Sequence, residues 1–551
     1  MRYGLQIMHS SSSKNIGIVT FLTNKFSLHD LVITSGLFLF SLATRIPFAA
    51  RMIYHSDSVR FALAMEHYDV AQMRPHAPGY FLYVALAKFI DLFINDARVS
   101  LISLSIVAST LTILFLYFLA STMFERSDGI IAALLLLSSP LFWFNGEIPF
   151  TYALEGLFSV IFAYCCYKII SGDRKWLLTS AIILGLATGA RQNIIILFLP
   201  LWLYSIRKCS FKKILIAFVV FGVTCLTWFT PMIALTGGLE KYFIALNGQF
   251  KSSVIHPSPL LFQIKSRGKI FLTFMAYSLT FGLIPIFFYF CRYSRISSIL
   301  KDIRSIFLFF WFTPAIFFFI GINIWNPGHV VLVLPPLFII LSQSIKEFSI
   351  DIEKGLKRII VARTNFLKRI FSYNIILVFS IMILILANFY IFLFKNTPIS
   401  YAAIQKEDIR FAELIKLTKT NFSPEKSMVL ALFYSTQAGY YLPDYLIYCP
   451  FPLIFRPDQV PLKSQNVYIS FRHQTTPETY WVPTNFKIEP IKMPPGVDTI
   501  ILWEKDIAEY YQNSNRPLRK INSHINDVTL FYIKVKPSDK IYYNYHFFSV
   551  K

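Results

Sequence analysis

The chain has 551 residues, of which 55% are hydrophobic and 56 are Phe, and its mean hydropathy is +0.53. That much apolar surface exceeds what one water-soluble core can bury, so most of the chain is predicted to lie in lipid. A formal charge of +23 would suggest a nucleic-acid partner for a soluble protein, but here Lys and Arg sit in short loops between apolar runs, where they report membrane orientation, and no nucleic acid is expected.

Residues 1–29 are polar and lack an apolar stretch ending in a small-residue cleavage site. They read as a cytoplasmic N-terminal segment, with the first span acting as an uncleaved signal. A crossing helix needs roughly 20 apolar residues, and about eleven runs approach that length: 30–48, 98–121, 129–145, 151–170, 176–190, 193–206, 214–235, 270–290, 305–321, 329–345 and 374–394. With the N-terminus inside, the inner loops carry Arg126, then Arg174 and Lys175, then Arg207, Lys208, Lys212 and Lys213. Later inner loops carry Arg292, Arg295, Lys301 and Arg304, then a cluster from Lys346 to Arg369. This is the asymmetry of a plasma-membrane protein with positive loops inside.

The run from Pro78 to Ile94 is apolar but short, and it carries Lys88 and Asp91. Counted as a span, it would put every later basic cluster outside. It is therefore read as a helix lying on the outer interface, within a first outer loop of 49–97, with Lys88 snorkelling to lipid head groups. An odd number of spans then exposes the tail, 396–551, on the outer face, periplasmic if the host is bacterial. Its helical runs, 407–420 and 505–513, alternate with strand-like runs at 428–434, 467–471, 499–503 and 528–535, which predicts a small α/β domain. Of six Cys only Cys449 falls in the tail, so no disulfide framework holds it, and no phosphate-binding Gly loop or metal-spaced Cys/His cluster appears there.

The predicted topology collects Asp57, Glu147, Arg191, the loop 236–269, His329 and the tail at the outer face. Charges in or beside apolar runs are costly in lipid and usually face a cavity, so one outward-facing site can hold them together. Asp57, in Tyr54-His55-Ser56-Asp57-Ser58, suits a general base for an acceptor hydroxyl and equally suits the start of the helix that follows. His76-Ala77-Pro78-Gly79-Tyr80 opens the interfacial helix, where free amides can meet an anion. Arg74 is a candidate phosphate contact or else snorkels to lipid head groups, and the alternative for His76 is an exposed turn residue. Glu147 breaks an apolar hairpin and, with Tyr152 and Glu155, is expected to line the opposite wall; a turn that simply needs polar residues is the other reading. Arg191 follows Gly185-Leu186-Ala187-Thr188-Gly189-Ala190, whose small residues permit close helix approach. It is expected to pair either a phosphate or a carboxylate such as Glu147. His329, in Pro327-Gly328-His329, offers hydrogen bonds to a phosphate, or is merely half-solvated at the boundary. The loop 247–259, with Lys251 and His256, reads as a cover.

The succession of first span, acidic loop, His-x-Pro, interfacial helix and outer-turn acid and base resembles the GT-C glycosyltransferases over residues 30–345. These are polytopic enzymes that use polyprenyl-phosphate sugars, and protein O-mannosyltransferases and aminoarabinose transferases of lipid A are the members it looks like. The resemblance implies that Asp57 matches the catalytic acid of the first outer loop, while His76 and Pro78 match a His-Pro-Pro or Pro-Pro element. Ala77 stands where that element has its first Pro. Ser58 stands where members often carry a second acid, which leaves a supporting acid role to Glu147. Arg191 stands where members place a base at an outer hairpin, and Pro327-Gly328-His329 with Pro335-Pro336 looks like the late span of bacterial members.

The expected fold is thus an α-helical polytopic membrane protein of about eleven transmembrane helices with an extracytoplasmic α/β domain, divided as 1–29, 30–395 and 396–551. The expected reaction is an inverting transfer from a polyprenyl-phosphate sugar to a protein, lipid or glycan hydroxyl. Asp57 takes the acceptor proton, and Arg191, with Arg74 or His329, steadies the leaving phosphate. No resident cofactor is expected, and Asp57 with Glu147 would hold a divalent metal only if they met in space. A transporter or lipid flippase is the rival of another class, although the chain shows no inverted repeat. A lipid-linked glycan polymerase or ligase is the rival among enzymes.

Overall fold

The computed structural model describes residues 27–254, 260–291, 302–322, 324, 326–359, 372–448, 468–469, 491–509, 511, 516–525, 528–544 and 547–550. The N-terminal segment 1–26, His256 of the expected cover, Arg292, Arg295, Lys301, most of the cluster beyond Arg358, Cys449 and most of the strand expected at 467–471 lie outside the described residues.

Helix α1 (Leu28–Arg45) starts on Ser27, whose hydroxyl caps the amide of Asp30 at 3.2 Å. It leads through a short turn into an extended stretch and then α2 (Ser56–Glu66). A turn-rich segment carries the chain to α3 (Phe81–Ile94), after which α4 (Ala97–Met123) runs through the middle of the bundle. At 1.5 Å per residue α4 is about 40 Å long and spans any hydrocarbon core, whereas α3 is only about 21 Å. α3 buries Tyr83, Val84 and Ala87 and leaves Phe89, Leu92 and Phe93 exposed. The helix is thus two-sided, one face packed on the bundle and the other apolar and exposed.

The expected span at 129–145 is two helices, α5 (Arg126–Ser138) and α6 (Pro140–Asn145). Pro140 cannot continue a helix from the preceding turn, and Ser139 before it adopts ψ 121, outside the helical region. Next come α7 (Tyr152–Ile170), α8 (Trp176–Ala190), α9 (Ile194–Ile206), α10 (Phe211–Leu235), α11 (Leu239–Val254), α12 (Leu260–Leu279), α13 (Leu283–Cys291) and α14 (Ile303–Gly321). A 3-10 turn, Pro327–Val333, feeds α15 (Leu334–Ile359), and α16 (Tyr373–Phe394) completes the bundle. Among the described residues eight helical stretches are long and apolar enough to cross a membrane. The other three expected spans fall on shorter helices, namely the α5–α6 pair, α8 and α9. The protein is a multi-pass membrane protein. Cys165 and Cys166 are buried inside α7 as packing residues.

Charge sorts the two ends of the bundle. At one end Arg126 Nε meets Asp30 Oδ1 at 2.9 Å, Lys346 Nζ meets Asp128 Oδ2 at 2.9 Å, and Arg304 donates to the carbonyl of Met123 at 3.2 Å. At the other end lie the segment before α2, the turn 146–151, the residues after α8, the 3-10 turn and the tail.

The tail begins with α17 (Tyr401–Asn421), followed by β1 (Ser427–Leu430), α18 (Ser435–Tyr441), β2 (Leu446–Tyr448), β3 (Tyr468–Ile469), β4 (Ile491–Lys492) and β5 (Thr499–Leu502). It closes with α19 (Lys505–Glu509), β6 (Leu518–Asn522), β7 (Thr529–Lys534), β8 (Lys540–Asn544) and β9 (Phe547–Val550). Six strands form one sheet in the order β3-β2-β1-β5-β7-β6, with β1 parallel to both β2 and β5 and the remaining pairs antiparallel. β1 is buried on both faces: Met428 and Leu430 join one apolar cluster and Val429 the other, as a two-residue repeat requires. The α/β reading of the tail stands. The second sheet, β4-β8-β9, and the edge strand β6, whose Arg519 and Lys520 are exposed, carry too little apolar alternation to have been foreseen.

Candidate active site

Asp57 lies in the first turn of α2, where a carboxylate is favoured by the helix N-terminus. The cap itself is His55, whose Nδ1 accepts the Asp57 amide at 3.2 Å. Ser58 anchors the same turn by donating to the Pro149 carbonyl at 2.7 Å. Around the carboxylate stand His76 Nδ1 at 3.6 Å, Arg60 Nη1 at 3.7 Å and His55 Nδ1 at 4.0 Å. Its side chain is 33% exposed, whereas His76 is buried. Burial opposes its charge, but His76, His55, Arg60 and Arg191 together hold the carboxyl down at about 2. Burial likewise pushes His76 down to about 4 against the pull of Asp57. At neutral pH the pair is therefore a carboxylate beside a neutral imidazole.

His76 is delivered by the turn before α3. Backbone bonds between Asp69 and Arg74, at 2.6 and 2.9 Å, close a small loop, and Tyr68 donates to the Gly79 carbonyl at 2.7 Å. Gly79 has φ +116 and sits against Met232 Sδ, 2.7 Å from where a Cβ would be, so neither the backbone nor the space admits a side chain. The turn is tied across the bundle by Gln192, which donates to the Pro78 carbonyl at 2.8 Å, and by Tyr242, which does so at 3.2 Å. Ring contacts of His76 with Tyr80 (5.0 Å) and Phe61 (6.1 Å) fix its plane.

The neighbour of Gln192 is Arg191, just past the end of α8. Its Nη1 bonds both oxygens of Glu155, at 3.0 and 3.3 Å, and its Nη2 donates to His329 Nε2 at 3.0 Å. The guanidinium also lies 5.4 Å from the ring centre of Tyr152. An arginine only donates, so His329 Nε2 must be the acceptor. The imidazole proton is then on Nδ1, which is buried without a partner among the described residues. His329 stacks on Phe319 at 5.1 Å and meets Tyr152 edge-on at 5.5 Å. Gly328 makes this possible, because a Cβ there would fall 2.0 Å from Tyr152 Cδ2.

The structure thus brings Asp57, His76, Tyr152, Arg191 and His329 to one end of the bundle. It does not bring Glu147 or Arg74 into the same set. Glu147 is fully buried, accepts a hydrogen bond from Trp143 Nε1 and has Arg45 as its charged neighbour, with Oε2 unpartnered among the described residues. The carboxylate that pairs Arg191 is Glu155, and the acids beside Arg74 are Glu66 and Asp69. Asp57 and Glu147 therefore do not share neighbours as a metal pair would. Among the described residues no three His, Cys, Asp or Glu side chains form a metal-holding group. Sequence reasoning passed over His55 and Arg60. Arg60, one helical turn from Asp57, was visible as an i, i+3 pair. His55 was not, because only the folded cap turns its nitrogen toward Asp57.

A family described as the Protein O-mannosyl-transferase TMEM260 N-terminal domain matches residues 68–214. Among solved structures, ArnT from Cupriavidus metallidurans bound to undecaprenyl phosphate is 13% identical with a TM-score of 0.50, covering 78% of this chain and 86% of that one. Its apo state gives 12% and 0.49 over the same shares. The Archaeoglobus fulgidus oligosaccharyltransferase tethered with an acceptor peptide is 14% identical with a TM-score of 0.45, covering 77% of this chain and 64% of that one. No curated protein matches. Residues 68–214 are thus similar to an O-mannosyl-transferase family domain, and the chain shares its fold with ArnT. The matched segment, 68–214, contains His76, Glu155 and Arg191, while Asp57 and His329 lie outside it.

Proposed function

We propose that this chain is a GT-C glycosyltransferase that moves a sugar from a polyprenyl-phosphate donor to an acceptor hydroxyl in a single inverting displacement at the outer face of the membrane. The observation that carries the reading is the pairing of a part-exposed, ionised Asp57 with the buried Arg191–His329 couple at the same end of the bundle. Asp57 takes the acceptor proton as the acceptor oxygen bonds to the anomeric carbon. The bond from that carbon to phosphate breaks, and its electron pair leaves with the polyprenyl phosphate. Arg191 meets the charge gained by the leaving phosphate, and the Nδ1–H of His329 offers one further hydrogen bond. His76 and Arg60 hold the carboxylate of Asp57 in place. Glu155 orients Arg191, and Glu147 and Arg74 take no part in bond making. The lipid carrier requires a site at the bilayer surface, and the tail on the same face would meet the acceptor, in the periplasm if the host is bacterial.

The test is transfer from radiolabelled polyprenyl-phosphate hexoses and pentoses, mannose included, into acceptors in native membranes and with purified enzyme. Asp57→Asn is expected to lower turnover about 10²- to 10⁴-fold while leaving the fold intact. Wild-type turnover in that variant would remove the carboxylate from the mechanism, and labelling only from nucleotide sugars would remove the lipid donor.

A further inference from the structure

The stretch that leads from the first membrane helix to Asp57 takes more of its hydrogen bonds from the tail than from the bundle. Asp408, on α17, accepts the amide of Arg51 with Oδ2 and that of Met52 with Oδ1, both at 2.8 Å. Tyr441, at the end of α18, accepts the amide of Ile53 at 2.7 Å, and Gln437 of the same helix donates to the carbonyl of Tyr54 at 2.8 Å. The membrane bundle adds two bonds: the Ala50 amide donates to the Glu147 carbonyl at 3.1 Å, and Arg98 donates to the Arg51 carbonyl at 2.5 Å. Met52 and Tyr54 also pack into the tail's apolar cluster beside Phe411, Ala438 and Leu442. The next residue, His55, caps α2 through the Asp57 amide.

We propose that the tail is a working part of the reaction centre: Asp408, Gln437 and Tyr441 set the path of residues 51–54 and thereby the position of Asp57, which makes Asp408 a positioning residue. The physical reason is the absence of regular structure. An extended strap with no sheet partner must find its hydrogen bonds elsewhere, and an amide shielded from water and left unpaired is costly. Here three side chains from two tail helices supply four of those bonds, so the strap has one conformation only while the tail is docked. A catalytic carboxylate displaced by about 1 Å loses much of its effect, about 10²-fold for a well-oriented group. This inference rests on Asp57 acting as the base.

Two measurements on the full-length protein separate the claims. Hydrogen–deuterium exchange of peptides covering residues 48–66 is expected to accelerate at least tenfold in Asp408→Asn, while peptides over β1 and β5 keep their protection. Turnover of the same variant is expected to fall at least tenfold with the donor KM changed less than threefold. Tyr441→Phe, which removes one acceptor and leaves the ring, should show the same pattern more weakly. Unchanged exchange at 48–66, or faster exchange confined to the tail, overturns the proposal, as does full turnover with a loosened strap. If the wild-type protein transfers no sugar from any lipid donor, the reaction assigned above fails, and the exchange comparison decides the strap by itself.

Discussion

At the residue scale, the site depends on which charge neighbours which. The carboxyl of Asp57 is held at about 2, below its ordinary value of 3.8, because four basic groups outweigh the cost of burial. For a depressed acid the ionised state's contribution to stability is complete above the ordinary value and is lost as pH falls toward 2. Asp57 is accordingly a fully ionised carboxylate from pH 8 to pH 5, and if it is the base proposed above, the rate is expected to be flat there. An acid limb in that window whose midpoint moves in Asp57→Glu would show that the carboxyl titrates near neutrality, contrary to this geometry. Arg191 is held at three points, by Glu155, His329 and the Tyr152 ring. Arg191→Lys preserves the charge but cannot reach Glu155 and His329 together, so kcat should fall at least about tenfold. Glu147 and Glu155 illustrate the limit of reading charges along a chain. Both are acids in apolar surroundings eight positions apart, yet one joins Trp143 and Arg45 and the other Arg191.

At the element scale, turns aim the side chains. The segment 67–80 has no regular helix beyond one short turn, and it places His76 by a loop closed on Asp69 and Arg74 and tied to Gln192 and Tyr242. Its Pro and Gly content predicted a bend; the partners of that bend come from α10, α11 and the end of α8, more than a hundred residues later. Gly328 is the most direct test of the other wall. In Gly328→Ala the new methyl displaces the Tyr152 ring, and Arg191 loses its aromatic face. Turnover should drop about tenfold or more. Thermal stability should change little by comparison, because the 3-10 turn keeps its cap, the Asn326 side chain accepting the Gly328 amide at 2.9 Å. An equal loss in the melting temperature and in yield would make the position structural instead.

At the scale of the whole molecule, the two ends of the bundle are chemically distinct. Arg126, Arg304 and Lys346 gather at one end, and Asp57, Arg191, His329 and the tail at the other. In a background without native cysteines, single cysteines at exposed positions such as His67 and Lys505 are expected to react with an impermeant thiol reagent from one face. Cysteines at Arg174 and Lys208 should react from the opposite face. Labelling of His67→Cys and Lys505→Cys from opposite faces would break the shared compartment on which the reaction depends.

The eleven apolar runs, the basic loops and the alternation in the tail were legible in the chain because burial in lipid and in a sheet both leave a periodic record in sequence. Asp57, His76, Arg191 and His329 stood out for a related reason: ionisable groups beside apolar runs are costly and therefore conspicuous. The amino-acid sequence by itself determined that this is a multi-pass membrane protein with an α/β tail and a set of charged residues shared by one face. The tertiary structure alone decided which of those charges meet, that Glu155 rather than Glu147 holds Arg191, and that Asp408 and Tyr441 grip the strap before Asp57. Contacts spanning 357 and 388 positions leave no local signature, because the hydrogen bonds that make them join backbone groups whose neighbours in sequence are indifferent to them.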